Sequence, residues 1–139
     1  MNSVRHNPLA IAVATILYFL LGGVWFTVFQ KAWLLGVGRT MEELQATGIS
    51  PAVTYGTAIV TTLILAIFLS WIIQATGLYT RARGSAIAIS TSFGVVFTTW
   101  STEYAFEARS LRILAINTGY SLVGMVLMGA ALGAWKKKA

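Results

Sequence analysis

The sequence predicts an all-α membrane protein in which four transmembrane helices form a compact bundle, with a short interfacial helix between the first and second. Of its 139 residues, 57% are hydrophobic and only 10% are charged, with a mean hydropathy of +0.75. Because an ordinary soluble domain is about 25% charged, this chain has too few charges to cover itself with a solvated surface. A membrane span takes roughly 20 residues, and four spans with short connections use nearly all of the chain.

The composition also excludes several kinds of site. There is no Cys, no Asp and one His, His6, which removes disulfides, thiol chemistry and the usual structural zinc patterns. We therefore expect no metal and no cofactor, and we expect His6, which precedes the first span, to be a solvated terminal residue.

The positive charge of the chain is explained by the membrane. A net charge of +6 would suggest nucleic acid as the partner of a soluble protein, but Lys136, Lys137 and Lys138 supply much of it. Basic residues beside a span indicate contact with anionic lipid on the cytoplasmic side. The lipid bilayer is thus the expected partner, and nucleic acid is not.

The spans are predicted at residues 8–30, 51–76, 83–105 and 110–135 of a single integral membrane domain, 1–139. Asn7-Pro8 and Ser50-Pro51 each combine a good N-cap with proline at the first helical position. The apolar runs must be helical, because hydrocarbon leaves every backbone group to be paired internally. The first run is too long for a typical signal-peptide core, and we expect it to be retained.

A short helix is predicted between the first two spans. Thr40 and Glu43 match a capping box, in which each side chain satisfies an exposed backbone amide. A helix from about Met41 to Ala46 follows, with Met41 and Leu44 lying on the membrane surface. The alternative is an ordinary capped surface turn, since a single helical turn is marginal in isolation.

Small residues predict how the third and fourth spans pack. In the third span, small or hydroxylated residues recur at every fourth position and would share one helix face. They are Ala82, Ala86, Ser90, Gly94, Thr98 and Thr102. Gly129 and Gly133 form a GxxxG pair in the fourth span. Small residues let helix backbones approach closely in lipid, so we interpret both features as helix-packing contacts; a polar pathway lined by the hydroxyls is the alternative.

Lysine and arginine positions predict the orientation. With the N-terminus inside, the inner segments hold six basic residues and the outer segments four. The inner six are Arg5, Arg81, Arg83 and Lys136, Lys137 and Lys138; the outer four are Lys31, Arg39, Arg109 and Arg112. This excess favours a multi-pass protein with both termini in the cytoplasm.

The candidate chemistry lies between the third and fourth spans. Glu103 and Glu107 are four residues apart and would share a helix face, where two carboxylates can bind a cation or share a proton. The alternative is that they pair with Arg109 and Arg112 and fix the hairpin. Asn117, deeper in the fourth span, is expected to hydrogen-bond to a neighbouring helix, or else to contact a ligand.

Two stretches resemble the bacterial membrane family known as domain of unknown function 1761. The residues that carry the resemblance are Gly23, Trp25, Phe26, Phe29, Lys31, Ala32 and Trp33, followed by Phe106, Glu107, Arg109, Asn117, Gly119, Tyr120, Gly129 and Trp135. This chain departs from the family pattern at Gln30, where Gly is common, and at Phe26, where Tyr is common. The resemblance implies a compact four-span protein of the bacterial inner (plasma) membrane and implies no activity.

The topology predicts that these stretches meet. The first and third helices would end on the same, outer side, so we expect one patch of aromatic residues with a Lys–Glu–Arg network. Its members are Trp25, Lys31, Trp33, Glu103, Glu107, Arg109 and Asn117. No phosphate loop, nucleophile elbow or HExxH motif is present, so no catalytic residue is assigned and an enzyme is not expected.

Three functions remain open on the sequence. The first is a non-enzymatic protein that acts by association, as a homo-oligomer or as an accessory subunit of a membrane complex. The second is an oligomeric channel or transporter for a small solute or cation, with the hydroxyls of the third span lining its path. The third is a lipid-acting enzyme that uses the outer patch.

Overall fold

The computed structural model describes residues 6–77 and 79–135, and every regular element in that part of the chain is helical. The elements are α1 (Pro8–Val28), α2 (Gln30–Val37), α3 (Met41–Ala46), α4 (Pro51–Ala75), α5 (Arg81–Thr91), a π-helical segment (Ser92–Phe97), α6 (Thr98–Phe106) and α7 (Leu111–Ala134). The all-α prediction is therefore confirmed for these residues. The predicted basic residues Arg5, Lys136, Lys137 and Lys138 lie outside the described residues.

Three helices in the described ranges are long and apolar enough to cross a membrane, namely α1, α4 and α7. Each begins after a side chain that accepts from the first helical amides. Asn7 Oδ1 accepts from the amides of Leu9 and Ala10 at 3.1 and 3.3 Å, and Ser50 Oγ accepts from Val53 at 3.3 Å. Local cap chemistry thus determines where these helices begin.

The segment between α1 and α4 contains one helix that the sequence did not predict. At Phe29 (φ −95°, ψ 9°) the chain bends and continues as α2, which packs against α7. A Cβ added to Gly36 would lie 3.1 Å from Ile113 Cβ, so α2 contacts α7 closely at this glycine. The capping box is present in α3: Thr40 Oγ1 accepts from the Glu43 amide at 3.2 Å, and the Thr40 amide donates to the Glu43 carboxylate at 2.8 Å.

Helix α7 lies at the centre of the fold and packs on α1, α2, α4 and α5. Its tightest contact is with α5, where Gly129 and Gly133 face Gly84. A Cβ added to Gly84 would overlap the Gly129 carbonyl oxygen, and one added to Gly133 would overlap the Thr80 carbonyl oxygen. These two helices therefore touch through their backbones. The largest fully buried side chains of the described residues are Leu69, Ile73, Ile113, Met125 and Met128.

Within this chain, the third predicted span packs through the face opposite the small-residue stripe. On the packed face, every fourth residue is buried or half-buried: Gly84, Ala88, Ser92, Val96, Trp100 and Tyr104. The predicted stripe is exposed throughout: Ala82, Ala86, Ser90, Gly94, Thr98 and Thr102. The two sets have the same spacing and are offset by two residues, which at about 100° per residue places them on opposite sides of the helix.

The π-helical segment keeps the packed face of residues 81–106 turned toward the bundle along its whole length. In a straight α-helix, residues four apart drift by about 40° per step, so the inward set would rotate out of the bundle before it reached Tyr104. The wider turns of Ser92–Phe97 counteract this drift. The segment also divides residues 81–106 into α5, the π turns and α6, which is why they do not form one long α-helix.

Candidate functional site

A cavity of about 510 Å³ lies between α1, α4, α7 and the π-helical segment with the start of α6; we call it the aromatic cavity. Five rings line it: Tyr18, Phe26, Trp33, Trp100 and Tyr120. The polar residues of its wall are Thr61, Thr62, Asn117 and Ser121, and the wall contains no Asp, Glu, Lys, Arg or His. Its volume is in the range of small-molecule pockets, about 300–1,000 Å³.

The cavity exists because the first half of α4 stands away from the bundle. Between residues 51 and 61 every α4 residue except Ala58 is exposed, and the buried positions of this helix begin at Thr62. Helix α4 packs on α1, α5 and α7, whereas α6 packs on α7. The first half of α4 therefore diverges from α6, and the aromatic cavity lies between them.

Asn117 connects three elements at one end of this cavity. Trp33 Nε1 of α2 donates to Asn117 Oδ1 at 3.2 Å, and Asn117 Nδ2 donates to the Tyr104 hydroxyl of α6 at 3.0 Å. At the preceding residue of α7, Trp25 Nε1 donates to the Ile116 carbonyl oxygen at 3.1 Å. The structure thus brings together Trp25, Trp33 and Asn117 from the predicted outer patch and adds Tyr104, which the sequence did not single out.

The charged members of the predicted patch are arranged differently. Arg109 forms an ion pair with Glu107, two residues away, and its guanidinium lies 5.1 Å from the Tyr104 ring centroid. Lys31 and Glu103 are exposed, and neither forms an ion pair with a described residue. The Lys–Glu–Arg network is therefore not formed in the described ranges, because the Glu107 carboxylate is held by a neighbour within its own turn. No three His, Cys, Asp or Glu side chains converge among the described residues.

The turn that carries this ion pair contains an alanine with left-handed backbone. Ala108 has φ 51°, and the Arg109 amide closes the end of α6 by donating to the Tyr104 carbonyl oxygen at 2.9 Å. This is the hydrogen bond of a Schellman motif, whose left-handed position glycine prefers.

We expect Ala108→Gly to raise the free energy of unfolding by about 0.5–1 kcal/mol, because glycine relieves the strain of the positive φ. Thermal or denaturant unfolding of the purified protein in detergent measures this change. The matched control is Ala105→Gly within α6, which should lower stability by about 1 kcal/mol. A loss of stability in both variants would contradict the prediction.

A second polar cluster lies at the opposite end of the bundle and corrects the expectation for His6. His6 Nδ1 is 3.1 Å from Ser70 Oγ, and the Gln74 amide donates to Ser70 Oγ at 2.9 Å and lies 3.2 Å from His6 Nδ1. His6 is half-buried, so the prediction of a solvated terminal residue is wrong. The start of α1 meets the end of α4 here, a contact that no local sequence signal reveals.

Tyr18 and Thr62 were not selected from the sequence as site residues, although their positions in the apolar runs indicated a shared site. Tyr18 lies ten residues before the end of α1, Thr62 eleven after the start of α4, and Ser121 ten after the start of α7. Because the chain direction alternates between spans, these three polar residues lie at about the same depth. Polar residues at matching depths in several apolar runs would have indicated a shared site.

Comparison with known proteins gives one match. The sequence pattern of the family described as "Protein of unknown function (DUF1761)" matches residues 9–133. No curated protein and no solved structure matches the chain.

Proposed function

Because the chain belongs to this family of unknown function, we propose its role from its own geometry: a four-span integral membrane protein that acts without catalysis, by association. It would work as a homo-oligomer or as an accessory subunit of a membrane complex. In this proposal α1, α4 and α7 are the first, second and fourth spans, and residues 81–106 form the third.

The third span, residues 81–106, is long enough to cross the hydrocarbon layer. Its residues follow one another without a break in helical structure, and at about 1.5 Å per residue they extend for about 39 Å, more than the roughly 30 Å of hydrocarbon. Arg81 and Arg83 lie at one end and Glu103 near the other. With an even number of spans, both termini lie on the same side of the membrane. The excess of basic residues in the inner segments favours the cytoplasm of a bacterial cell for that side, and α3 then lies at the outer surface of the inner membrane.

The observation that carries the proposal is the exposed stripe of small residues in α5, the π-helical segment and α6. These are Ala82, Ala86, Ser90, Gly94, Thr98 and Thr102. A helix face that meets only lipid gains nothing from small side chains, whereas a second helix can approach such a face closely. The opposite face of the same helix already packs on α7, so a stripe left exposed supports a contact with another polypeptide.

The two threonine hydroxyls of the stripe favour packing over a polar pathway. Thr98 Oγ1 donates to the Gly94 carbonyl oxygen at 2.9 Å, and Thr102 Oγ1 donates to the Thr98 carbonyl oxygen at 3.1 Å. Hydroxyls that donate within their own helix need neither water nor an ion. The alternative of an oligomeric channel or transporter is therefore the weaker of the two.

The proposal is tested by Gly94→Leu. A Cβ added to Gly94 meets nothing within 4 Å in this chain, so the variant should fold, while its larger side chain should block a helix that packs on the stripe. We expect native mass spectrometry of the protein, extracted in mild detergent from cells at its natural level, to show a complex of more than one polypeptide. Gly94→Leu should yield the single chain.

The matched control is Gly56→Leu on α4, where an added Cβ also meets nothing within 4 Å. This variant should keep the complex of the wild type, and both variants should have similar unfolding temperatures. A wild type that is a single chain, or a complex that Gly94→Leu leaves intact, would refute association through the stripe.

A further inference from the structure

We propose that the aromatic cavity is a binding site for a neutral, lipid-soluble molecule whose ring carries carbonyl oxygens. This goes beyond association, because the cavity lies within one chain and the stripe of small residues does not line it. Five features carry the proposal: the absence of charge from the wall, the depth of the cavity, its rings, the Thr62 hydroxyl and one N–H of the Asn117 amide.

The wall selects a neutral molecule. None of the side chains that line the aromatic cavity is a carboxylate, an amine, a guanidinium or an imidazole. A charged ligand at membrane depth would leave its charge without a counter-ion, which is costly in a medium of low dielectric constant. A neutral ligand avoids this cost.

The depth of the cavity indicates that its ligand comes from the bilayer. Tyr18, Thr62 and Ser121 lie ten or eleven residues from the outer ends of their helices, which corresponds to about 15–17 Å. This is near the middle of a hydrocarbon layer of roughly 30 Å. Since α4 and α6 diverge beside the cavity, a molecule dissolved in the lipid can enter between them.

The rings of the wall match a ring in the ligand. Tyr120 lies 4.8 Å from Tyr18 and 5.2 Å from Phe26, measured between ring centroids, and these three form one side of the cavity. Trp100 of α6 lines the cavity as well. Aromatic groups pair best in offset or edge-to-face arrangements, so walls of this kind accommodate a planar ring better than they accommodate a flexible chain.

Thr62 supplies the polar recognition. It is only 6% exposed and lines the cavity, and its hydroxyl makes no hydrogen bond to any described residue. Thr15, Thr61 and Thr118 behave differently: each donates to the carbonyl oxygen four residues earlier, at 2.6–2.8 Å. Because Thr62 lines the cavity, its hydroxyl can donate to a ligand there, and a hydrogen bond formed out of water would contribute to binding.

Asn117 supplies a second donor near the other end of the cavity. Its Oδ1 accepts from Trp33, and Nδ2 uses one of its two hydrogens on the Tyr104 hydroxyl. One N–H therefore remains for a ligand. Two donors in an otherwise apolar cavity match a ring that bears acceptor oxygens, which is why the proposal specifies carbonyl groups.

The test uses two bicyclic probes of similar size, 2-methyl-1,4-naphthoquinone, which has the two carbonyl oxygens, and 2-methylnaphthalene, which lacks them. Binding to the full chain in lipid nanodiscs is followed by tryptophan fluorescence, since Trp33 and Trp100 line the cavity. We expect saturable binding of the quinone and at least about tenfold weaker binding of the hydrocarbon, which cannot accept the two hydrogen bonds. Quenching that does not saturate, or equal affinity for the two probes, would overturn the proposal.

The decisive variant is Thr62→Val, which removes the hydroxyl and keeps the shape. We expect it to weaken quinone binding about 3–10-fold while the unfolding temperature stays the same or rises, because the lost hydroxyl makes no hydrogen bond to a described residue. Thr118→Val, at a similar depth but outside the cavity, should leave the affinity unchanged. Ala58→Leu, which fills the cavity from α4, should abolish binding. Unchanged affinity in Thr62→Val or in Ala58→Leu would refute the site.

Discussion

Gly84→Ala should lower the free energy of unfolding by at least about 3 kcal/mol, the largest effect that we expect from a single methyl group in this chain. The new Cβ would overlap the Gly129 carbonyl oxygen and would lie 3.2 Å from Gly133 Cα. Both are backbone positions, which cannot rotate away as a side chain can, so α5 and α7 must separate. Unfolding of the purified protein by heat or by SDS, followed by circular dichroism, measures the loss.

The control for this substitution is Gly56→Ala in α4. Gly56 is helical and exposed, and an added Cβ meets nothing within 4 Å. Alanine should therefore raise stability by up to about 1 kcal/mol through its better helix propensity. If Gly84→Ala were as stable as Gly56→Ala, α5 and α7 would not be in backbone contact.

Asn117→Leu should lower the free energy of unfolding by about 2–3 kcal/mol. Leucine fills a similar volume but leaves Trp33 Nε1 without an acceptor and the Tyr104 hydroxyl without its donor. Both groups are half-buried, and each unsatisfied polar group of this kind costs about 1–3 kcal/mol when fully buried. The same unfolding measurement gives the value.

A double variant that already lacks both partners tests whether unpaired polar groups cause this loss of stability. When Trp33→Phe and Tyr104→Phe are already present, the partners have been removed together, and Asn117→Leu should then be close to neutral. An equal cost in both backgrounds would show that Asn117 stabilises the protein through another contact.

Much of the secondary structure was predictable because its signals are local. The caps at Asn7, Ser50 and Thr40 act on amides two or three residues away, so the sequence alone is sufficient to predict where α1, α3 and α4 begin. The uncharged runs that follow leave the backbone no partner in lipid except its own helix. The composition predicted an all-helical chain for the same reason.

The candidate site was predictable only in part. Trp33 and Asn117 were both selected from the sequence, and the structure joins them by a hydrogen bond across 84 residues. Tyr104 and Thr62 were not selected, because their roles depend on what lies opposite them. Tyr104 reaches Asn117 from α6, and Thr62 faces a cavity that exists only because α4 leaves the bundle.

The inward face of the third span shows most directly what only the tertiary structure decided. Small residues recur every fourth position in two sets, one that includes Ser90 and Gly94 and another that includes Gly84 and Ala88. The sequence offers both sets, and periodicity cannot choose between them. The choice was made by Gly129 and Gly133 of α7, whose backbone contacts Gly84. A helix in lipid has no hydrophobic reason to turn one side inward, so close packing against a particular partner determines which side is buried.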